Sequence, residues 1–226
     1  MTETAPAVNS PAALILDVDG TLLDTVYLHV LAWWESFLAE GYEVSCFDIH
    51  RAIGRSSEEL VEVLIGTSDE RVTKGHSERW APLRERCIPF HDVPKLIRAA
   101  ADRGLKVVYC TSGSEADAAE FREKIGCDDV VAAVVNSGDV EHSKPAPDIV
   151  QAALDAVGVA PERAVMLGDT VYDVRAAAAA GVPCIGLMCG GIGERELLDA
   201  GAAAVYGNPS ELLQELDDSP VGRLLG

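Results

Sequence analysis

The chain carries the stretch Ala13-Leu14-Ile15-Leu16-Asp17-Val18-Asp19-Gly20-Thr21 near its start. Its first four residues are an unbroken apolar run, which is typical of a strand buried on both faces of a parallel sheet. Two carboxylates follow, and Gly20 allows a sharp turn close to a ligand. Carboxylates so placed can share one divalent ion, while one attacks phosphorus and the other moves a proton. An acidic turn without function is the alternative.

Further apolar runs recur along the chain, each bounded by Gly or polar residues. They lie at 106–110, 130–135, 164–167 and 183–187, with another candidate at 203–206. Stretches with helical spacing separate them, and these end at Gly104, Gly126, Gly158 and Gly181. Glycine is the residue that most often closes a helix. The alternation predicts βαβ units and therefore an α/β fold with a doubly wound parallel sheet.

The alternation of predicted strands and helices is interrupted between residues 26 and 89, where amphipathic stretches occur without a convincing strand. These stretches lie at 26–40, 57–65 and 70–86. We therefore expect an inserted α-helical cap over 26–89 and an α/β catalytic core over 13–25 and 90–226. Residues 1–12 lack the basic start and the apolar stretch of a signal peptide, and we expect a disordered tail there.

Three more segments place reactive groups after predicted strands. Thr111-Ser112-Gly113 offers a hydroxyl and free backbone N–H groups at a helix start, which suits an anion. Lys144 lies in a loop stiffened by prolines, where it would offset repulsion between a carboxylate and a phosphate. Asp169 and Asp173 lie one helical turn apart, and such oxygen ligands suit Mg²⁺. Taken singly, each segment has a structural alternative, such as a helix cap or an exposed lysine. Because the carboxyl ends of parallel strands share one edge, we expect the segments to converge.

Together the four segments resemble the motifs of the haloacid dehalogenase (HAD) superfamily. The matching stretches are DVDGT at 17–21, the threonine after VVYC, SKPAP at 143–147 and GDTVYD at 168–173. The resemblance implies a Rossmann-like, HAD-type sheet with strand order 3-2-1-4-5. It also implies a Mg²⁺-dependent phosphatase in which Asp17 is the nucleophile, forms an aspartyl-phosphate and binds the metal. Asp19 would be the general acid and base and would give the metal its backbone carbonyl.

The resemblance assigns roles to the remaining positions as well. Thr111 would hold the phosphoryl group and Lys144 would steady it against Asp17. Asp169 would bind Mg²⁺, and Asp173 would support the ion directly or through water. The expected substrate-binding residues are Gly20, Ser112, Gly113 and Arg55. Arg55 belongs to a segment, 51–59, that is similar to the cap loop reaching the core site in this family, and Arg51 is the neighbouring candidate.

Composition narrows the range of partners. A net charge of −19 repels nucleic-acid backbones and anionic lipids, and no apolar run approaches the roughly 20 residues that span a bilayer. The six cysteines are scattered without a CxxC pair, which favours buried thiols in the cytoplasm. We expect a small phosphorylated metabolite, such as a sugar or polyol phosphate, as substrate.

Two other functions remain open at this point. A sugar phosphomutase of the β-phosphoglucomutase kind would use the same aspartates but pass the phosphoryl group to a sugar hydroxyl. A non-catalytic phospho-acceptor switch would also cluster aspartates, although such domains are shorter and lack a cap. The five histidines show no metal-ligand spacing, so we expect solvated or capping roles for them. Of the adjacent Trp33 and Trp34, only one can face a given side of a helix.

Overall fold

Six parallel strands form one sheet in this computed structural model, which describes residues 10–225. The strands are β1 (Ala13–Leu16), β2 (Lys106–Cys110), β3 (Val131–Val135), β4 (Ala164–Gly168), β5 (Cys184–Leu187) and β6 (Ala204–Tyr206). Their spatial order is β3-β2-β1-β4-β5-β6, and every neighbouring pair is parallel. The predicted order 3-2-1-4-5 is confirmed, and the candidate run at 203–206 adds a sixth strand at the edge.

Four helices follow β1 and form the cap. They are α1 (Val26–Ala39), α2 (Cys46–Ala52), α3 (Ser57–Ile65) and α4 (Glu70–Arg84). The predicted amphipathic stretches correspond to α1, α3 and α4, whereas α2 was not predicted. It has seven residues, too few for helical periodicity to stand out. Buried side chains from all four helices pack together, including Phe37, Ile49, Leu60 and Val72, so the cap has a small core of its own.

The remaining helices cover both faces of the sheet. They are α5 (Val93–Asp102), α6 (Glu115–Ile125), α7 (Asp148–Val157), α8 (Val171–Ala179), α9 (Glu194–Asp199), α10 (Pro209–Gln214) and α11 (Pro220–Arg223). Successive residues of β1 point to opposite faces: Leu14 and Leu16 join one apolar cluster, whereas Ala13 and Ile15 join the other. Because β1 lies between β2 and β4, it is buried along its whole length.

Two chain segments join the cap to the core and run side by side. The backbone N–H of Asp24 donates to the carbonyl of Ile88 (3.0 Å), and that of Phe90 donates to the carbonyl of Leu22 (2.9 Å). The cap therefore leaves and re-enters the core at the same place, directly beside the end of β1.

The expected N-terminal tail lies largely outside the described residues, which begin at Ser10. Ala12 is buried, and its carbonyl accepts a hydrogen bond from the backbone N–H of Lys106 (2.9 Å). Within residues 10–225, no helix combines the length and apolar character needed to cross a membrane.

Candidate active site

The predicted reactive groups meet at the carboxyl edge of the sheet. Asp17 follows β1, Thr111 follows β2 and Asp169 follows β4, while Lys144 reaches the same place from the loop between β3 and α7. Asp17, Asp169 and Asp173 are buried, and each offers an oxygen within 4.8 Å of the others. The sequence prediction that these segments converge is therefore met by the geometry.

Lys144 lies at the centre of this carboxylate cluster. Its ammonium group is 2.5 Å from Asp17 Oδ1 and 2.6 Å from Asp173 Oδ1. Burial alone would lower the pKa of Lys144, but the carboxylates of Asp17 and Asp173 overcome that effect and hold the pKa well above its usual value. The lysine is thus a permanent cation that fixes two of the three carboxylates.

One ammonium group does not balance three buried carboxylates. Burial raises the pKa of Asp169 well above its ordinary range, and the charges of Asp17 and Asp173 add to the effect. Burial likewise raises the pKa of Asp17, against the opposing charge of Lys144. Asp169 Oδ2 is enclosed and has no hydrogen-bond partner among the described residues. An unpaired buried oxygen in an excess of negative charge fits a bound cation.

Two glycines make room for Asp169. A Cβ atom added to Gly20 or Gly190 would collide with Asp169 Oδ2. Gly20 also has a positive φ of 77°, a conformation that favours glycine. Its backbone N–H already donates to the carbonyl of Leu23 (2.9 Å). Gly20, which we expected to bind substrate, therefore shapes the turn beneath Asp169.

Asp173 both caps a helix and takes part in the cluster. Its Oδ2 accepts hydrogen bonds from the backbone N–H (3.0 Å) and hydroxyl (2.6 Å) of Thr170, the N-cap residue of α8. Its Oδ1 faces Lys144. With both oxygens engaged, Asp173 is anchored more firmly than Asp169, whose hydrogen-bond partner is the hydroxyl of Thr21 (3.0 Å).

Thr21 is a site residue to which we assigned no role from sequence. Its hydroxyl lies 2.8 Å from Asp17 Oδ2 and 3.0 Å from Asp169 Oδ1, and the side chain is fully buried. The hydroxyl therefore links the two carboxylates that follow β1 and β4. Its position in the motif at 17–21 was the sequence feature that could have indicated this role.

Asp19 points away from the carboxylate cluster. Its Oδ2 accepts a hydrogen bond from the hydroxyl of Thr111 (3.3 Å), and its Oδ1 lies 3.4 Å from His29 Nε2. The Thr111 hydroxyl also accepts from the backbone N–H of Gly113 (3.0 Å). Asp19 is half-buried and lines the cavity, so its side chain is accessible to a substrate.

Two histidines extend this arrangement into the cap. His29 Nδ1 lies 3.2 Å from His76 Nε2. The two imidazole rings stack with two indole rings. The order of the four rings is Trp33, His76, His29, Trp80, and the distances between successive ring centroids are 3.8, 5.4 and 3.6 Å. Burial lowers the pKa of His76 to about 2, so it is neutral. The prediction of solvated or capping histidines is wrong for this pair.

The spacing of histidine and tryptophan in the sequence could have indicated this stack. Each histidine precedes a tryptophan by four residues on its helix, His29 before Trp33 on α1 and His76 before Trp80 on α4. Residues four apart share one helix face. Trp33 is buried on the inner face, whereas Trp34 is partly exposed on the outer face, as the helical geometry predicted.

The cap and the core enclose a cavity of about 420 Å³. Arg55 lines it and lies over the ring of Tyr172, 4.6 Å from the centroid. The serines at positions 112 and 114 line it from the core side. Arg51 does not line this cavity. Its guanidinium group instead forms a bidentate ion pair with Glu196 of α9. Of the two candidate arginines, only Arg55 borders the cavity.

Several contacts hold the cap against the core. His50 Nε2 lies 2.9 Å from the carbonyl of Gly190, and Ser143 donates to Glu59 (2.9 Å). At the start of α3, Ser56 accepts from the backbone N–H of Glu59 (3.3 Å), while the Glu59 side chain is taken up by the contact with Ser143.

Comparison with known proteins agrees with this geometry. The model of the haloacid dehalogenase-like hydrolase family matches residues 11–181. The chain is 35% identical to a phosphoglycolate phosphatase from Rhodospirillum rubrum over 87% of each chain. It is 29% identical to a phosphorylated carbohydrates phosphatase from Thermotoga maritima, over 91% of this chain and 98% of that protein. A hydrolase from Pseudomonas syringae shares the fold with a TM-score of 0.86 and 31% identity, over 92% of this chain and 98% of that one. The predicted relationship is confirmed, and the chain is a phosphatase of the haloacid dehalogenase-like hydrolase family.

Proposed function

We propose that this protein hydrolyses a small phosphomonoester with Mg²⁺ through an aspartyl-phosphate on Asp17. The observation that carries the proposal is the buried cluster of Asp17, Asp169 and Asp173 around Lys144. Phosphoryl transfer depends on in-line positioning and on stabilisation of charge more than on elaborate covalent chemistry. Fixed carboxylates, a fixed cation and a cavity beside them supply those requirements.

Asp17 and Asp169 would hold Mg²⁺ through their carboxylates, and Asp19 through its backbone carbonyl. Asp173 would act through water, because Lys144 and Thr170 occupy its oxygens. The bound ion would neutralise charge on the phosphoryl oxygens. This donor set consists of oxygen atoms alone, as Mg²⁺ prefers.

The chain's own residues account for the two steps of the reaction. In the first, an Asp17 oxygen bonds to phosphorus, the ester bond breaks, and Asp19 gives its proton to the departing alcohol oxygen. In the second, water attacks the phosphorus, Asp19 takes the water's proton, and the Asp17–phosphorus bond breaks to release phosphate. Lys144 favours the ionised form of Asp17 and holds its carboxylate in place. Thr111 and the backbone N–H of Ser112 would hold the phosphoryl oxygens.

The cavity supports a small metabolite as the substrate. Its volume of about 420 Å³ lies within the range of small-molecule sites. The similar proteins named above act on phosphoglycolate and on phosphorylated carbohydrates. We infer that the substrate is a phosphorylated metabolite such as a sugar or polyol phosphate, with Arg55 binding hydroxyls or a second anionic group. The six cysteines are free, which agrees with a cytoplasmic location.

Replacement of Asp17 provides the test. The purified protein should hydrolyse members of a panel of phosphorylated metabolites with Mg²⁺, and Asp17→Asn should leave essentially no turnover. Acid-quenched wild-type protein should carry phosphate on Asp17. The exposed Asp155 of α7 offers a matched control, and Asp155→Asn should retain activity. Wild-type turnover by Asp17→Asn would end the aspartyl-phosphate proposal.

A further inference from the structure

Helix α2 of the cap contacts two segments of the core that adjoin Asp169. Tyr172, in the first turn of α8, donates its hydroxyl hydrogen to the carbonyl of Arg51 (3.0 Å). His50 Nε2 lies 2.9 Å from the carbonyl of Gly190, in the short turn that follows β5. The cap therefore touches both the helix that begins just after Asp169 and the turn that packs against its carboxylate.

The partner of His50 fixes the direction of their hydrogen bond. A backbone carbonyl only accepts, so His50 Nε2 carries a proton and donates to Gly190, whatever the charge of the ring. No backbone N–H group within residues 10–225 donates to the same carbonyl. The ring of Tyr27 stacks on the imidazole, with 5.4 Å between centroids and 1° between planes, and keeps the donor in place. His50 is thus the donor that holds this carbonyl.

The turn that His50 holds restrains Asp169 in its own right. A Cβ atom added to Gly190 would collide with Asp169 Oδ2, so the backbone of the turn already lies against this oxygen. Cys189 Sγ, in the same turn, donates to the carbonyl of Gly20 (3.3 Å), and Gly20 packs against Asp169 from another side. Asp169 Oδ2 has no hydrogen-bond partner among the described residues. Packing against the two glycines therefore holds this oxygen in place.

We propose that His50 is a positioning residue that couples the cap to the metal site, because it holds the carbonyl of Gly190 and thereby keeps Asp169 in place for the ion. The inference rests on the proposed function and adds that the closed cap raises the affinity for Mg²⁺. Such coupling is reciprocal, so bound Mg²⁺ would in turn stabilise the cap against the core. His50 does not line the cavity and acts through the turn alone.

Direct metal binding provides the test, with Mn²⁺ as the probe because it favours the same oxygen ligands as Mg²⁺. Electron paramagnetic resonance measures free Mn²⁺ in titrations without substrate, and binding that Asp169→Ala removes is assigned to the site. His50→Phe keeps an aromatic ring against Tyr27 but lacks the donor. It should raise the Kd for Mn²⁺ at this site by roughly 3- to 10-fold, the usual effect of one lost hydrogen bond. His50→Gln, whose amide can donate, should recover most of the affinity.

Hydrolysis of p-nitrophenyl phosphate gives a second readout. His50→Phe should need a higher Mg²⁺ concentration for half-maximal activity, by the same factor as the change in Kd. Its kcat at saturating Mg²⁺ should match that of the wild type, because the ion then restores the position of Asp169. Loss of a catalytic group or of the fold would lower kcat itself.

Arg51→Ala is the matched control. It removes a neighbouring contact between the cap and the core, the ion pair with Glu196, but leaves the contact between His50 and Gly190 intact. The Kd for Mn²⁺ should therefore stay at the wild-type value. Should His50→Phe fail to fold, His50→Ala takes its place in the same titrations.

Three results would overturn the proposal: an unchanged Kd for Mn²⁺ in His50→Phe, an equal rise in Arg51→Ala, or a Kd in His50→Gln as high as in His50→Phe. Failure of the proposed function would look different, since the wild type would then neither bind Mn²⁺ at Asp169 nor hydrolyse p-nitrophenyl phosphate.

Discussion

Asp17 and Asp19 lie two residues apart but in different surroundings. Asp17 is buried, with Lys144 2.5 Å from one oxygen and Thr21 2.8 Å from the other. Asp19 is half-buried and has longer contacts, to Thr111 at 3.3 Å and His29 at 3.4 Å. A rigidly held carboxylate suits a nucleophile, and a more loosely held one suits a group that gives and takes protons. The contrast supports the proposed division of labour.

Replacing Asp19 should separate proton transfer from metal binding. Asp19→Asn keeps the backbone carbonyl, so the Mg²⁺ concentration for half-maximal activity should hardly change. General acid–base catalysis contributes roughly 10²–10⁴-fold, and kcat for an alkyl phosphate should fall by about that factor. p-Nitrophenyl phosphate should suffer less, since its leaving group needs less help from an acid. A large shift in Mg²⁺ dependence with unchanged kcat would contradict the assignment.

Asp169 and Asp173 should differ in their effect on the metal. Chelator should abolish activity and Mg²⁺ should restore it. Asp169→Ala removes an oxygen that no residue within 10–225 binds, so it should raise the required Mg²⁺ concentration more than Asp173→Ala. Asp173→Ala should instead destabilise α8, because its side chain caps that helix, at a cost of about 1 kcal/mol. Metal titrations and thermal unfolding measure the two effects. Full activity in chelator would refute the metal site.

At the scale of elements, the loop after β5 completes the site. Its short turn at 188–190 brings Gly190 against Asp169. Neither this loop nor its glycine was assigned a site role from sequence. The structure shows that Gly190 sets the position of a candidate metal ligand.

Gly190→Ala should therefore impair metal activation without unfolding the protein. The added Cβ would collide with Asp169 Oδ2 and displace that carboxylate. Gly193→Ala is the matched control in the same loop, because its added Cβ meets no atom within 4 Å. Mg²⁺ titrations of activity, together with melting temperatures, compare the two variants. Equal Mg²⁺ dependence in both would mean that Asp169 tolerates the displacement.

The strands were predictable because each is a continuous apolar run between Gly and polar residues, a pattern that the sequence shows directly. The order of the strands came from the resemblance as well as from the βαβ rhythm. The pairing of His29 with His76 could not be predicted in the same way. They lie 47 residues apart, and their contact depends on how α1 packs against α4. Hydrophobic periodicity shows which face of a helix is buried, but it does not show which other helix packs against that face.

At the scale of the whole molecule, the cap covers the carboxyl edge of the sheet. Contacts at 50–59 tie it to the core, and the cavity lies between the two parts. A small ester fits this space, whereas a folded phosphoprotein would require the cap to be displaced. The acidic surface, with a net charge of −19, also disfavours polyanions approaching from solution.

Arg55→Ala should reveal whether the cap contacts the substrate body. Hydrogen bonds to charged groups contribute about 1.5–3 kcal/mol, so KM for the best metabolite should rise roughly 10- to 100-fold. p-Nitrophenyl phosphate, which has no such body, should be little affected. Arg71 is exposed and pairs with Asp69 on the outside of the cap, and Arg71→Ala serves as control. Equal effects of Arg55→Ala on both esters would exclude recognition of the body, and efficient dephosphorylation of a phosphoprotein would contradict a closed cap.

The central place of β1 in the sheet has a consequence for biosynthesis. Its partners are β2 and β4, and Ala13 pairs with Ala164, about 150 residues later in the chain. A ribosome adds roughly 5–20 residues per second, so β4 is made on the order of 10 s after β1. Throughout that time, four residues that end up fully buried have no permanent neighbour on one side. Until β4 has been made, β1 is therefore open to aggregation, and a chaperone that bound this strand during synthesis would protect the newly made protein.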